Sequence, residues 1–435
     1  KVYDLDNQKY VEQTTSYPKP TVHKSYFTNE EGYLVLPKNL KPGNYRIEEV
    51  TAPDGYTISK NYVTVAVDTD TAYLTDPVTG DAVIDVEYTN APVKGQLKIY
   101  KQGEVLKGFD KDFQYEMAGL AGAEFEVYAA EDIYTADHQV DADGQRTLYF
   151  AKDALVATVT TDADGYATVK NLPLGRYYVK EKNAPDTYVL NTVPENVEFA
   201  YADQDTAVIE KEISVTDERQ KVSITVEKQD AETGNAAQGD ATLEGAVYGL
   251  YAREDIVHPD GRTGTIHKKD SLITSLTTDK NGEASVSDLY LGKYYLKELS
   301  APVGYVLDPT EHEVDCTYEG ATVPTVERTS VCKETVIKQP FQIIKAANNG
   351  KTDADLLQGV GFSAWLVSDL KVKADGSYDF DSARPVVLTA DGQAEMFTDE
   401  KGYARSIPLP YGTYVVRETT SKHNYAPVDD FVVRI

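Results

Sequence analysis

Three kinds of ionisable side chain stand where alternating apolar rows should continue, and together they have the means to form an amide. Glu49, Glu181, Glu298 and Glu418 each end a same-parity row, respectively Tyr45/Ile47, Tyr177/Val179, Tyr294/Leu296 and Tyr414/Val416. Lys101 continues Leu97/Ile99, Lys228 continues Val222/Ile224/Val226, and Lys345 continues Phe341/Ile343. Eleven residues before each Lys a third polar residue closes another row: Asn90, Asp217 and Glu334. Burying an unpaired charge is expensive, so a charge on a core-facing row needs a partner or a task. In a dry interior, desolvation favours the neutral amine and the protonated carboxylic acid. A protonated Glu can then polarise the carbonyl of an Asn or Asp and shuttle protons, while fixed geometry supplies a high effective molarity. The expected product is a Lys–Asn or Lys–Asp isopeptide bond, with loss of ammonia or water, made once per domain and without turnover. Alternatively the same residues form buried Lys–Glu ion pairs, or face outward. The constant spacing at three junctions favours the cross-link.

The elements that must position these groups are strands. A block recurs four times: Gly43-Asn-Tyr-Arg-Ile-Glu-Glu-Val-Thr-Ala-Pro-Asp-Gly-Tyr56, then Gly175 to Tyr188, Gly292 to Tyr305, and Gly412 to Tyr425, the last without its Ala-Pro. Upstream of each lies an Asp- or Asn-led turn ending in Gly32, Gly165, Gly282 or Gly402. Three copies also share a Gly followed by an alternating strand, beginning at Gly122, Gly245 and Gly359. Period-two alternation predicts half-buried strands, and the turns read as hairpin loops. A calcium loop at Asp162-Ala-Asp-Gly165 lacks the ligand series and terminal Glu of an EF-hand. No segment sustains helical periodicity, so the chain is predicted to be all-β, with short helical turns at most.

Composition agrees. The 435 residues hold 32 Tyr but only one Trp, two Met and two Cys, with 29 Gly and 19 Pro for turns. A net charge of −28 opposes nucleic acid and anionic membrane surfaces as partners. No stretch is long and apolar enough for direct membrane insertion. The six His residues lack metal-ligand spacing, and no nucleophile elbow or phosphate loop is present. No metal, no cofactor and no enzymatic turnover are expected.

At the quoted block the chain resembles the collagen-adhesin B-type (Cna B) domains of Gram-positive surface proteins, also found in SpaA-type pilins. The resemblance covers essentially the whole chain. It implies a tandem array of prealbumin-like or immunoglobulin-like β-sandwiches, in which a Lys on the first strand joins an Asn or Asp on the last, assisted by the Glu. Carried over, the bonding set is Lys101, Glu181 and Asp217 in the second domain. The third has Lys228 and Glu298, but Glu334 departs from the family's Asn or Asp, and its extra methylene displaces the carbonyl. Cys316 and Cys332 fall in the same domain. They read either as a disulfide between neighbouring strands, allowed in an oxidising exterior, or as two inert buried thiols.

The expected domains are 1–93, 94–219, 220–337 and 338–435. By the spacing of the complete copies, Glu49 and Asn90 need a Lys before residue 1. Lys345 and Glu418 need an acceptor near or beyond residue 454. Both end domains are therefore expected to be truncated, as in an excerpt of a longer repetitive protein. The implied function is a stalk segment of an extracellular, cell-wall-anchored bacterial surface adhesin or pilin-like protein, with neighbouring repeats as partners. Two alternatives are adhesin domains gripping a host or matrix protein or glycan, and a sortase-polymerised pilus shaft. For the latter, Tyr17-Pro-Lys-Pro20 resembles a pilin motif but falls inside a domain. Leu36-Pro-Lys38 lacks a following Thr-Gly, and both read as turns.

Overall fold

Along Lys221–Asp230 the residues alternate between half-exposed and buried for ten positions, the signature of a strand with one face in a core. The same alternation sets the architecture throughout the computed structural model, which describes residues 1–76, 80–109, 113–348 and 355–435. The chain forms two compact units, one of residues 1–104, 115–186 and 190–217, the other of 105–114, 187–189 and 218–435.

In the first unit a sandwich is built on the Lys-bearing strand Lys94–Phe109. Tyr166–Leu172 pairs with it antiparallel and Val208–Asp217 pairs with it parallel. The facing sheet runs Leu155–Thr160, Glu124–Ala129, Gly175–Asn183 and Glu195–Phe199 in spatial order. Leu97, Ile99, Phe125, Val127, Tyr177 and Val179 fill the space between the sheets. Ahead of it, Lys9–Tyr10, Val2–Asp4, Gly43–Glu48 and Tyr62–Val67 form a four-stranded sheet. Residues 84–90 keep the expected alternation of exposure but pair with no strand among the described residues. In the sandwiches the corresponding strand pairs with the Lys strand. Tyr17-Pro-Lys-Pro20 is a bend between Gln13–Thr15 and Thr21–His23, which pair antiparallel. Lys38 is pinned by its backbone, its N–H donating to Gln13 Oε1 at 2.9 Å and its carbonyl accepting from Gln13 Nε2 at 2.7 Å.

The second unit repeats the plan. Lys221–Asp230 is flanked by Glu283–Leu289 and, in parallel, Thr325–Glu334. The facing sheet is Leu272–Thr277, Val247–Ala252, Gly292–Ser300 and Glu311–Cys316. After it, Glu395–Phe397, Gly361–Leu366, Thr413–Thr420 and Phe431–Arg434 form the corresponding sheet, and Gln342–Ile344 pairs with Tyr403–Arg405. Two three-residue 3-10 turns, Val367–Asp369 and Phe380–Ser382, are the helical elements among the described residues.

The Asp-led turns differ from hairpin loops. Locally they close as expected: Asp162 N–H donates to Tyr166 O at 2.8 Å, and Gly165 N–H to Asp162 O at 3.0 Å. Yet Leu155–Thr160 before the turn lies in one sheet and Tyr166–Leu172 after it in the other. The same holds at Asp279 and Asp399. Each turn carries the chain across the sandwich, because alternate residues on both sides must face a core that lies between the sheets.

The abundant Tyr residues divide into two uses. Tyr45, Tyr177 and Tyr414 are buried, and each hydroxyl donates to the carbonyl four residues upstream at 2.9, 2.7 and 2.8 Å. Tyr294 does the same to Tyr290. This satisfies a hydroxyl that would otherwise be costly to bury. On the outer faces, Tyr128 stacks on Tyr178 and Tyr251 on Tyr295, both with centroids 5.1 Å apart, as cross-strand pairs that add to sheet stability.

Candidate functional site

Period two delivers Lys101 to the inner face beside Leu97 and Ile99, and its side chain is fully buried. The parallel register sets Val215 opposite Lys101 and Asp217 opposite Gly103, so Asp217 reaches back diagonally to the amine. Glu181 comes from the facing sheet, where it sits across from Phe125. Lys101 Nζ lies 2.7 Å from Glu181 Oε1 and in direct contact with Asp217 Oδ1. The Phe125 ring centroid is 5.7 Å from Nζ, so the wall around the three groups is apolar. Burial pushes the Asp217 carboxyl up to about 7, against the pull of Lys101 and with a further push from Glu181.

The third sandwich brings together its own three expected residues. Lys228 Nζ touches Glu334 Oε2 and lies 3.7 Å from Glu298 Oε1. Here burial, reinforced by Glu334, raises Glu298 to about 7. The two end segments each hold part of the set. Asn90 Nδ2 donates to Glu49 Oε2 at 2.7 Å in the first, and Lys345 Nζ donates to Glu418 Oε2 at 2.7 Å in the fourth. Burial alone would raise Glu418, but Lys345, Ser421 and the Val428 N–H outweigh it and hold that carboxyl below its ordinary value. The outward-facing alternative is thereby removed for Lys101, Lys228 and Lys345, all buried.

Several positioning contacts carried no obvious mark in the sequence. In every copy the Glu accepts a backbone N–H from the residue ten positions later: Ser59 at 2.7 Å, Asn191 at 2.8 Å, Asp308 at 2.8 Å and Val428 at 3.1 Å. The intervening Ala-Pro-x-Gly-Tyr loop has a second task. Its Tyr bridges the residue two beyond the acceptor, as Tyr56 with Pro92, Tyr188 with Arg219 and Tyr305 with Val336. The loop thus fixes the Glu and the end of the acceptor strand together. The turn Gly fixes the Lys: the carbonyls of Gly165, Gly282 and Gly402 accept the N–H of Lys101, Lys228 and Lys345, each at 2.8 Å.

The loop position before its Tyr has positive φ in all four copies: Gly55 +85°, Thr187 +69°, Gly304 +86° and Asn424 +70°. A β-branched residue is poorly suited there. Thr187→Gly should therefore raise stability by about 0.5–1 kcal/mol, the strain relieved being partly offset by the freedom Gly adds to the unfolded chain. A urea midpoint that stays put or falls would count against this.

The disulfide expectation is corrected. Cys316 and Cys332 are both free and buried. Cys332 lies level with Lys228, while Cys316 lies opposite Gly292, six strand positions from Glu298 and in the other sheet. Six positions span about 20 Å, far beyond disulfide reach. Burial pushes the two thiols up to about 12 and about 11, which makes them inert packing residues.

The SpaA prealbumin-like fold domain model matches residues 1–79, 109–217 and 222–329. The chain belongs to this family. Beyond the matched SpaA domains, residues 338–435 repeat the Lys–Glu contact and its sheet. A trypsin-resistant surface T6 protein of Streptococcus pyogenes is 31% identical over 121 residues, 28% of this chain and 19% of that protein. The chain thus spans about a fifth of that relative's length. Among solved structures, the Bacillus anthracis TIE protein is 20% identical, with all of this chain and 65% of that one covered at a TM-score of 0.47. A streptococcal ancillary pilin is 18% identical, with 78% and 95% covered at 0.25. The major pilin subunit of Bacillus cereus is 14% identical, with 79% and 95% covered at 0.27.

Proposed function

We propose that this SpaA-type chain is a structural segment of a Gram-positive surface adhesin or pilin-like protein, stiffened by self-formed isopeptide bonds between the first and last strands of its domains. The domains are read as 1–93, 94–219, 220–337 and 338–435, each carrying one complete or partial bonding set. Its setting is the extracellular surface, and its immediate partners are neighbouring repeats of the same parent. The observation that carries the proposal is the fully buried Lys101 Nζ between the Glu181 and Asp217 carboxyls.

The chemistry follows from the positions. Lys101 passes one proton to Glu181 and its nitrogen attacks Asp217 Cγ. The new C–N bond forms as one C–O bond breaks. The departing oxygen, which carries the Asp217 acid proton, takes the second proton the nitrogen gives up and leaves as water, the first staying on Glu181. Asp217 must be a neutral acid, because a carboxylate carbon resists attack, and its raised pKa provides that form near neutral pH. The buried geometry replaces a bimolecular encounter with a held contact. The bond spans 116 residues from Lys101 to Asp217, so tension passing through the first strand would leave by the last without entering the rest of the sandwich.

The deciding measurement is peptide mapping of the denatured full chain by mass. The Lys101 and Asp217 peptides should travel as one species, one water short of their summed mass; two separate peptides of full mass would end the proposal. A pH dependence follows too. Folding raises the Asp217 pKa from 3.8 to about 7. Between those values the folded, still unlinked state therefore holds a proton that the unfolded chain has lost. Its stability is greatest at the acid end of that window and declines as pH rises through it. Bond formation after cell-free synthesis should slow as pH is raised above about 7, and a rate that climbs steadily to pH 9 would contradict the role given to Asp217.

A further inference from the structure

The third sandwich differs from the second at two facing positions, and the differences match. Where the second has Asp217 as acceptor, the third has Glu334, longer by one methylene. Where the second has Phe125 across from its Glu181, the third has Tyr248 across from Glu298, and the fourth segment has Phe362 across from Glu418. The longer acceptor carries its carboxyl past the amine toward residue 248. There Tyr248 Oη donates to Glu334 Oε1 at 2.6 Å in a fully buried contact, while Glu334 Oε2 touches Lys228 Nζ. A Phe at 248 would leave that oxygen buried beside a ring edge without a donor, a costly state for a carboxyl group.

We propose that the third sandwich closes on a Lys228–Glu334 amide, and that the Tyr248 hydroxyl is the donor that makes this longer acceptor competent. The inference rests on the cross-linking chemistry proposed above. Lys228 Nζ passes one proton to Glu298 and attacks Cδ of the Glu334 acid; a C–N bond forms as the Cδ–Oε2 bond breaks, and that hydroxyl leaves as water with the second proton the nitrogen gives up. Glu298, 3.7 Å from the amine, is the group placed to take the first proton. Oε1 gathers negative charge as the carbon becomes tetrahedral, and it is the oxygen that Tyr248 already holds. Burial and the Glu334 contact push the Tyr248 phenol well above its ordinary value, so it remains a donor throughout the neutral range. Such an arrangement does for an acyl oxygen what an oxyanion-hole donor does.

The test follows the full chain during cell-free synthesis, quenched into denaturant at intervals and mapped by mass. In the wild type, both the Lys101–Asp217 and the Lys228–Glu334 peptides should appear joined and one water short. If the first pair is joined and the second is not, this inference fails while the general chemistry stands. If neither is joined, the general chemistry fails as well. Tyr248→Phe should slow joining at Lys228 by about 10²–10³-fold and leave joining at Lys101 unchanged. An unchanged rate at Lys228 would overturn the role of Tyr248. The double variant Tyr248→Phe with Glu334→Asp recreates the pattern of the second sandwich and should restore joining. A merely structural hydroxyl would give no such rescue, and failure of the rescue would likewise overturn the matched pair.

Discussion

Replacing Glu181 by Gln should leave the second sandwich folded but unjoined, its peptides recovered separately at full mass. The amide keeps the carbonyl that accepts from Asn191 N–H, and Asp217 still contacts the Lys101 amine, so that amine keeps a polar partner in the core. What disappears is the facing-sheet carboxyl, 2.7 Å from the amine, that can take up its proton. General acid–base assistance of this kind is worth about 10²–10⁴-fold, enough to turn a reaction finished during folding into one that barely advances over days. The third sandwich of the same molecule provides the control, since Glu298 is untouched. Full joining of Lys101 to Asp217 in this variant would remove Glu181 from the chemistry.

The second large effect is on stability. Asp217→Ala removes both the acceptor and one of the two carboxyls facing Lys101, while the 2.7 Å contact with Glu181 still pairs the charge. The loss is then chiefly that of the covalent link. By analogy with a disulfide closing a loop of this size, the link is worth about 4–5 kcal/mol, through fewer conformations of the unfolded chain. For a domain of this size the midpoint of thermal unfolding should drop by about 15–25 °C. The same variant should lose resistance to trypsin in this sandwich. A midpoint within a few degrees of the wild type would mean that no constraint had been present to lose.

Much of this was legible because strand periodicity makes faces countable. Tyr177, Val179 and Glu181 share a parity, as do Leu97, Ile99 and Lys101, and in the structure both rows point inward. Spacing alone paired Asn90 with Glu49 and Lys345 with Glu418, which the structure brings into contact. Other features were invisible for physical reasons. A tight turn has the same local sequence whether its strands stay in one sheet or cross to another, so the Asp-led turns looked like hairpins. The backbone donors at Ser59, Asn191, Asp308 and Val428 use no side chain, and therefore leave no signature at those positions. Two cysteines sixteen residues apart suggest pairing until the sheets are laid out and place them at opposite ends of a sandwich. Tyr248 did carry a signal, standing where the sister copies have Phe125 and Phe362, but its significance depends on Glu334 lying beside it.

The division of labour between sheets also sets an order of events. Lys101 and Asp217 lie on adjacent strands of one sheet, but Glu181 arrives only when the opposite sheet has docked on top of it. A slip of one residue in any of these strands turns the relevant side chain to the outside, where water quenches its reactivity. Under the proposed cross-linking, permanent closure would be withheld from half-assembled or misaligned intermediates, which would stay free to come apart and try again. The fold would thus inspect itself before the proposed bond makes it irreversible.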